Sequence, residues 1–290
     1  QRKLNNRTYR GFISDNQMHW LEGDLAKVPR DKLLVIATHI PLIAEASDGS
    51  SVITGPDTEN FDKLLEILKP FKNIYGLAGH DTSNSWKVEV NHKHGWSGRP
   101  WVAHTLAEVR GSGWTRGPRD SRGVADATMA DGNPNGFYLL KFDDVTLVPE
   151  FIPFPFGRDA GQRLRIVLEP ELSTAADNRI NRGMIHPNTK VVVNLFDGGE
   201  RDEIKLSLDD GPLKSMSYTV RTDPFFEKIY AQYVDTDNAY PSPEASAHIW
   251  EYELPTNLDV GVHTIVVQTM DEFGQQQRGV LTFEITGVAQ

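Results

Sequence analysis

The sequence contains no cysteine, and this absence excludes disulfide bonds and thiolate metal sites. Histidine and carboxylate side chains are therefore the strong metal ligands that remain. Long apolar runs are also absent: residues 33–37 and 151–156 are among the longest, far short of the roughly 18 apolar residues that a membrane-spanning helix needs. The sequence thus predicts a globular protein without a membrane span.

Positive charge is scarce in the second half of the chain. Residues 1–157 carry 18 Lys and Arg against 19 Asp and Glu, whereas residues 158–290 carry 12 against 21, for a total net charge of −10. A segment with this excess of carboxylates repels phosphate backbones, so we expect no nucleic-acid partner. Any phosphate chemistry is expected in the first segment, which also holds six of the nine histidines.

Helices and strands alternate in the first 80 residues. Ser14 and Gln17 form a capping box that begins a helix, and the acidic segment 57–59 is predicted to cap a second one. The apolar runs 33–37 and 74–78 predict strands that are buried on both faces. This order predicts an α/β fold, whose sites lie where the strands end.

Strand patterns dominate the rest of the chain, after a glycine-rich stretch at residues 111–136. Period-two alternation or a β-rich composition marks six segments of the last hundred residues: 191–195, 204–208, 217–220, 250–254, 263–270 and 279–285. Such a series predicts an all-β, immunoglobulin-like sandwich. The change in pattern places a domain boundary at residue 157, so that residues 1–157 and 158–290 form two domains.

Two histidines follow the predicted buried strands. His39 comes after the first strand and His80 after the second. Side chains that leave neighbouring parallel strands at the same edge can converge on one cation, and imidazole is a good ligand for a borderline metal. The spacing alone leaves a purely structural role for both residues open.

Several separate segments resemble one family. They are the helix segment 17–22 (Gln-Met-His-Trp-Leu-Glu), the lone-histidine segment 37–41 (Ala-Thr-His-Ile-Pro), the segment 79–82 (Gly-His-Asp-Thr) and the stretch from Gly113-Trp114 through 131–138. In order and spacing, these segments resemble the calcineurin-like phosphoesterases, specifically a bacterial subgroup with an added C-terminal domain. The resemblance covers nearly the whole chain.

The resemblance implies metal-dependent hydrolysis of a phosphoester whose identity the sequence does not reveal. The first domain would be part of a four-layer metallophosphoesterase sandwich, and His39 and His80 would bind one metal of a divalent pair of Mn, Fe or Zn. In the family a second histidine closes the 79–82 motif, and here that position is Thr82. The resemblance also favours a periplasmic or secreted location.

The motifs that precede these segments in the family are absent from the sequence. They are Asp-x-His, Gly-Asp and Gly-Asn-His-Asp/Glu, which would supply the bridging aspartate, further ligands and the histidine acid. Gly23-Asp24 is not the Gly-Asp motif, because it lies inside the first predicted helix. Because the chain begins with Gln1 instead of Met, we expect a truncated or incomplete polypeptide, in preference to a gene that has lost its enzyme half. The expected partner is then the missing N-terminal half of the same domain. The chain alone is then predicted to be inactive. The alternative is a non-catalytic binding or structural module with a decayed metal site.

The glycine-rich stretch offers candidate substrate contacts. Trp114, Arg116 and Arg119 lie there, and arginine can bind a phosphate group through two parallel hydrogen bonds. Solvated loop charge is the alternative for these side chains. The sequence leaves monoesters, diesters, nucleotides and phospholipids open as substrates.

Overall fold

The computed structural model describes residues 2–4, 8–47, 52–109, 117–154, 162–170, 179–181 and 189–287. Over these residues the chain forms three α-helices, one 3-10 helix and 19 β-strands, so β-structure dominates. The helices are α1 (Asp15–Leu25), α2 (Phe61–Leu68) and α3 (Pro224–Tyr233), and the 3-10 helix is His92–His94. Within the same ranges no helix is both long enough and apolar enough to cross a membrane.

Ten strands precede residue 157 and nine follow it. The first ten are β1 (Arg2–Leu4), β2 (Thr8–Arg10), β3 (Leu33–Thr38), β4 (Ile43–Ser47), β5 (Val52–Pro56), β6 (Asn73–Ala78), β7 (Trp86–Val90), β8 (Trp101–Thr105), β9 (Gly136–Asp143) and β10 (Thr146–Pro153). The other nine are β11 (Leu164–Glu169), β12 (Arg179–Asn181), β13 (Lys190–Leu195), β14 (Glu203–Leu208), β15 (Lys214–Ser215), β16 (Ser217–Arg221), β17 (Ser246–Glu253), β18 (Gly261–Met270) and β19 (Gln276–Thr286).

A mixed four-stranded sheet forms the centre of the first segment, in the order β3, β6, β8, β7. β6 pairs in parallel with both β3 and β8, whereas β7 pairs antiparallel with β8. The apolar face of α2, which includes the fully buried Leu64 and Leu68, shares one core with α1 and this sheet. The helices and strands expected in this region are present, and their place in a four-layer phosphoesterase sandwich stays a prediction.

The two helices of this region begin differently. Helix α1 has the predicted capping box, in which the Ser14 side chain accepts from the Gln17 backbone and Gln17 bonds back to the Ser14 backbone. The predicted cap of α2 at residues 57–59 is wrong, because Asn60 occupies the N-cap position. Thr58 is buried and donates its hydroxyl to the Pro41 carbonyl instead, so this segment anchors a loop.

Strand β3 is not buried on both faces, which corrects the sequence-based expectation. Its side chains are half-buried or exposed in alternation, and Val35 is 38% exposed. The physical reason is position: among the described strands β3 pairs only with β6 and lies at the edge of its sheet. The neighbouring β6, paired on both sides, is largely buried.

The second segment is a sandwich of two sheets. One sheet has the order β11, β13, β17, β16, and the other has the order β12, β19, β18, β14, β15. Their inner faces share one apolar core around the buried side chains of Trp250 and Phe283. The β-sandwich prediction is confirmed, and its immunoglobulin-like topology stays a prediction. Helix α3, which has Asp223 as its N-cap and Pro224 at its first position, was not anticipated.

The described stretch 117–135 contains neither helix nor strand apart from one bridge between Arg119 and Ala125. Its later part, from Ala125 onward, is buried, and Asp131 and Asn133 have no exposed surface. The backbone N–H of Asn133 donates to the Asp131 carboxylate, as expected for an Asx-type turn. Residues 125–135 are therefore part of the protein interior.

Candidate metal site

His39 and His80 leave the sheet at the same edge because of strand register. In the parallel pairing of β3 with β6, Thr38 lies opposite Ala78, so the next residues of both strands emerge together. The Gly79 N–H donates to the His39 carbonyl at 3.2 Å, and the Thr38 hydroxyl donates to the Ile40 carbonyl at 2.7 Å. These bonds fix the backbone on both sides of His39.

The two imidazoles lie within hydrogen-bond distance of each other, and the same separation is compatible with two nitrogens that share a cation. His39 Nε2 and His80 Nδ1 lie 3.1 Å apart, and the ring planes are inclined by 71°. Two nitrogens bound to one metal at about 2.0–2.1 Å would be separated by about 2.9 Å in an octahedral site and about 3.4 Å in a tetrahedral one. The observed separation lies between these values. His39 is exposed and His80 is half-buried, so the pair is open to solvent.

The backbone of His80 is strained. Its φ angle is +72°, in the left-handed region that residues other than glycine rarely adopt. Such a conformation costs about 1–3 kcal/mol and persists only where the surrounding structure enforces it. Here it occurs two residues after β6, at the residue whose ring nitrogen lies 3.1 Å from that of His39. Strain of this kind is concentrated at functional sites.

Two carboxylates lie near the histidine pair. Burial raises the pKa of Asp57, and the charges of Arg10 and His80 offset part of that increase. Asp81 accepts hydrogen bonds from the backbone N–H groups of Ser83 and Asn84 at 2.8 and 3.1 Å, and burial raises its pKa as well. Asp57 was missed by sequence analysis, because only the fold brings the loop after β5 towards the end of β6.

The donor set fits two ligands of one metal and does not complete a dinuclear site. Among the described residues no group of three or more His, Asp or Glu side chains is placed to hold a metal ion. Thr82, which the sequence resemblance aligns with a histidine of the family, is exposed and offers a hydroxyl, which is a poor ligand for Mn, Fe or Zn. Any further ligands would have to come from outside the described residues.

The other histidines of the first segment have different surroundings. His104 is buried and bonds through Nε2 to Asp197 at 2.9 Å and through Nδ1 to the Tyr75 hydroxyl at 3.1 Å. His92 and His94 lie on the 3-10 helix and not on a strand, and His94 Nδ1 accepts from the Asn91 backbone. These contacts give His104 and His94 structural partners.

Of the predicted substrate contacts, only Arg119 falls within the described residues. Its guanidinium is exposed and donates from Nη1 to the Gly123 carbonyl at 2.7 Å, within its own loop. Trp114 and Arg116 lie outside the described residues. The assignment of all three to substrate binding stays a prediction.

Comparison with known proteins supports the family resemblance. The family model for the C terminal of calcineurin-like phosphoesterase matches residues 104–276. No curated protein matches the chain. The crystal structure of CopC from Methylosinus trichosporium OB3b is a weak structural match, with 14% sequence identity, 43% of this chain and 98% of that chain covered, and a TM-score of 0.24. This last likeness supports no inference. The match over residues 104–276 spans more than half of the sequence, and the matching model describes the C-terminal part of the family's proteins. The chain therefore belongs to the calcineurin-like phosphoesterases.

Proposed function

We propose that this chain supplies two metal ligands, His39 and His80, to a phosphoester hydrolase. The observation that carries the proposal is the 3.1 Å approach of their ring nitrogens at the end of two parallel strands. The family supports phosphoester hydrolysis as the reaction class, since the C-terminal family model covers residues 104–276. The substrate is a phosphoester of unknown identity.

A divalent metal pair, when bound, would activate a water molecule and stabilise charge on the phosphoryl oxygens. The role of this chain is to present two imidazoles at one edge of a rigid sheet. The family resemblance implies that the remaining ligands come from the N-terminal half of the same domain, and among the described residues no group of three or more His, Asp or Glu side chains is placed to hold a metal ion. We also propose Arg119, whose guanidinium is exposed, as a contact for the substrate phosphate.

The test compares this chain with a polypeptide that includes the upstream half. With Mn²⁺ or Zn²⁺, the chain alone is expected to hydrolyse p-nitrophenyl phosphate no faster than the free metal does. The longer protein is expected to turn over, because it would add the bridging aspartate and the histidine acid that the resemblance implies. Loss of a general acid alone costs roughly 10²–10⁴-fold in rate. In it, His39→Ala and His80→Ala should each remove most of the activity.

His92→Ala is the matched control, since His92 is exposed and follows β7, whose last residue pairs with the first residue of β8. His92 therefore lies at the edge of the sheet opposite the ends of β3 and β6. This variant is expected to retain full activity. Chelator-sensitive turnover of the longer protein that survives His39→Ala would contradict the proposal, because the working metal would then lie elsewhere.

A second candidate is a non-catalytic module with a decayed metal site. The exposed threonine at position 82, where the family has a ligand, is the observation that favours it. If Thr82 occupies a vacant ligand position, Thr82→His should strengthen Zn²⁺ binding to this chain, as followed by isothermal titration. A longer protein that binds metal but shows no turnover with monoester or diester substrates would favour the non-catalytic module.

A further inference from the structure

The loop that follows His80 is held by residues from much later in the chain. It comprises residues 81–85 and joins His80 to strand β7. The Ser83 hydroxyl donates to Glu244 Oε1 at 3.1 Å, and the Asn84 side-chain N–H donates to Glu244 Oε2 at 3.3 Å. One carboxylate from the sandwich segment thus receives hydrogen bonds from two consecutive loop residues, one on each oxygen.

A second, buried anchor holds the same loop. The Asp131 N–H donates to the Ser83 carbonyl at 3.0 Å, and the Ser85 N–H donates to Asp131 Oδ2 at 3.0 Å. His248 Nε2 lies 3.0 Å from the Ser85 hydroxyl and 3.1 Å from Asp131 Oδ2. The side chains of Ser85, Asp131 and His248 have no exposed surface, so this anchor forms part of the interior.

The two anchors are themselves connected. The Glu244 N–H donates to the Ala130 carbonyl at 3.0 Å, directly beside Asp131. On the sandwich side, His248 Nδ1 lies 2.8 Å from the Gly198 carbonyl. Residues 83, 84 and 85 are therefore each bonded to a framework built from the stretch 117–135 and from the sandwich.

This framework lies on the C-terminal side of His80, whose backbone is strained. A residue with φ of +72° is maintained only where its neighbours leave the chain no alternative. On its N-terminal side, strand β6 and the bond from Gly79 to His39 fix the chain. On its C-terminal side, the fixation comes from Glu244 and Asp131.

We propose that Glu244 of the sandwich segment is a positioning residue for the His39–His80 metal site. It acts through the loop 81–85, which holds the His80 ring against His39. This inference deepens the proposed function and rests on it. On this proposal the C-terminal domain helps to build the metal site and is not only attached to the first domain.

Glu244 can be tested separately from folding. It is exposed and Ser83 is half-buried, so their hydrogen bond is screened by water and contributes little to global stability. Asp131 and His248 are fully buried, and their replacement would endanger the fold itself. Glu244→Ala is therefore the informative variant, and Glu244→Gln, which keeps the shape and one carbonyl acceptor, is the conservative one.

The experiment uses this chain with uniform ¹³C,¹⁵N labelling and Zn²⁺ as the probe. Wild-type protein is expected to show nuclear Overhauser contacts between the His39 and His80 rings, and both rings should shift on Zn²⁺ addition. In Glu244→Ala the ring contacts should weaken, and the amides of residues 83–85 should exchange faster with solvent. Zn²⁺ affinity should fall by about 3- to 10-fold, below the roughly 10–100-fold effect of a direct hydrogen-bond partner of a metal-bound histidine.

Glu253→Ala is the matched control, because Glu253 is an exposed glutamate at the end of β17 and its removal changes the net charge equally. This control should leave ring contacts, exchange and affinity unchanged, and Glu244→Gln should restore part of the affinity. Unchanged ring contacts and loop exchange in Glu244→Ala would overturn the inference. A wild-type chain whose two rings ignore Zn²⁺ would count against the proposed function instead, and the metal-free measurements would still decide whether Glu244 positions His80.

Discussion

Asp197 links the two segments of the chain, and its replacement should weaken the fold in a pH-dependent way. Its carboxylate oxygen Oδ1 lies 2.9 Å from His104 Nε2 and accepts from the Tyr138 hydroxyl at 2.7 Å, while its own N–H donates to Asn133 Oδ1 at 3.0 Å. Burial raises its pKa, but the interaction with His104, aided by Lys87 and Tyr138, outweighs burial and lowers the pKa to about 2.

The size of the effect follows from the shift. A pKa lowered from 3.8 to about 2 corresponds to about 2 kcal/mol of stability. Because the folded-state pKa is depressed, this stability is present above the unfolded value of 3.8. It is lost as the pH falls from about 4 towards 2. Asp197→Asn removes the charge yet keeps an acceptor, so we expect a loss of about 2–3 kcal/mol at pH 7.

Urea unfolding followed by near-UV circular dichroism at pH 7 and pH 3 measures this difference. The difference in the free energy of unfolding between wild type and Asp197→Asn should be about 1 kcal/mol smaller at pH 3 than at pH 7, because at pH 3 part of the stability linked to the lowered pKa is lost. Asp209→Asn is the control: Asp209 also pairs with a histidine, His263, but its side chain is 42% exposed, and the loss should stay below about 1 kcal/mol. Equal losses at both sites, or a gap that does not change with pH, would refute this reasoning.

Three further perturbations have defined outcomes. Gly132→Ala should lower the melting temperature by more than Gly123→Ala, because both glycines have φ near +80° but only at Gly132 would the new Cβ collide with the Asp223 side chain, at 2.2 Å. Equal melting temperatures would contradict this. Arg165→Lys should lower the free energy of unfolding in urea by about 1–3 kcal/mol, since the Arg165 guanidinium both pairs with Asp223 at 2.7 Å and stacks on the Phe225 ring. A change near zero would show that the pair is dispensable. Mild proteolysis should cut within residues 155–165, at the predicted domain boundary, and the two fragments should elute together in gel filtration because buried hydrogen bonds join the segments. Separate elution would show that these bonds are too weak to hold the fragments together.

Local patterns in the sequence were sufficient for the elements that place the histidine pair. The capping box at Ser14 and the apolar runs ending before His39 and His80 are signals within a few residues, and the parallel register then brings the two rings together. Helix α3 had a readable signal as well, Asp223 followed by Pro224 at the first helical position, but strand-like neighbours obscured it.

Long-range contacts could not be predicted in this way. Glu244 lies 161 residues after Ser83, and His248 lies 117 residues after Asp131. No periodicity or motif in a single sequence links positions so distant, because their proximity depends on how the sandwich packs against the first segment. The same holds for Asp57, which only the fold brings within electrostatic reach of His80.

The left-handed backbone of His80 implies that the residue best suited to stability at this position is not the residue that can bind a metal. Glycine adopts a φ of +72° without steric cost, so His80→Gly would relieve strain while removing a ring nitrogen. Alanine would remove the same nitrogen and keep the strain. A higher unfolding temperature for His80→Gly than for His80→Ala would show that the backbone at this position favours glycine. The imidazole would then occupy a position that is unfavourable for stability, as expected where function outweighs stability.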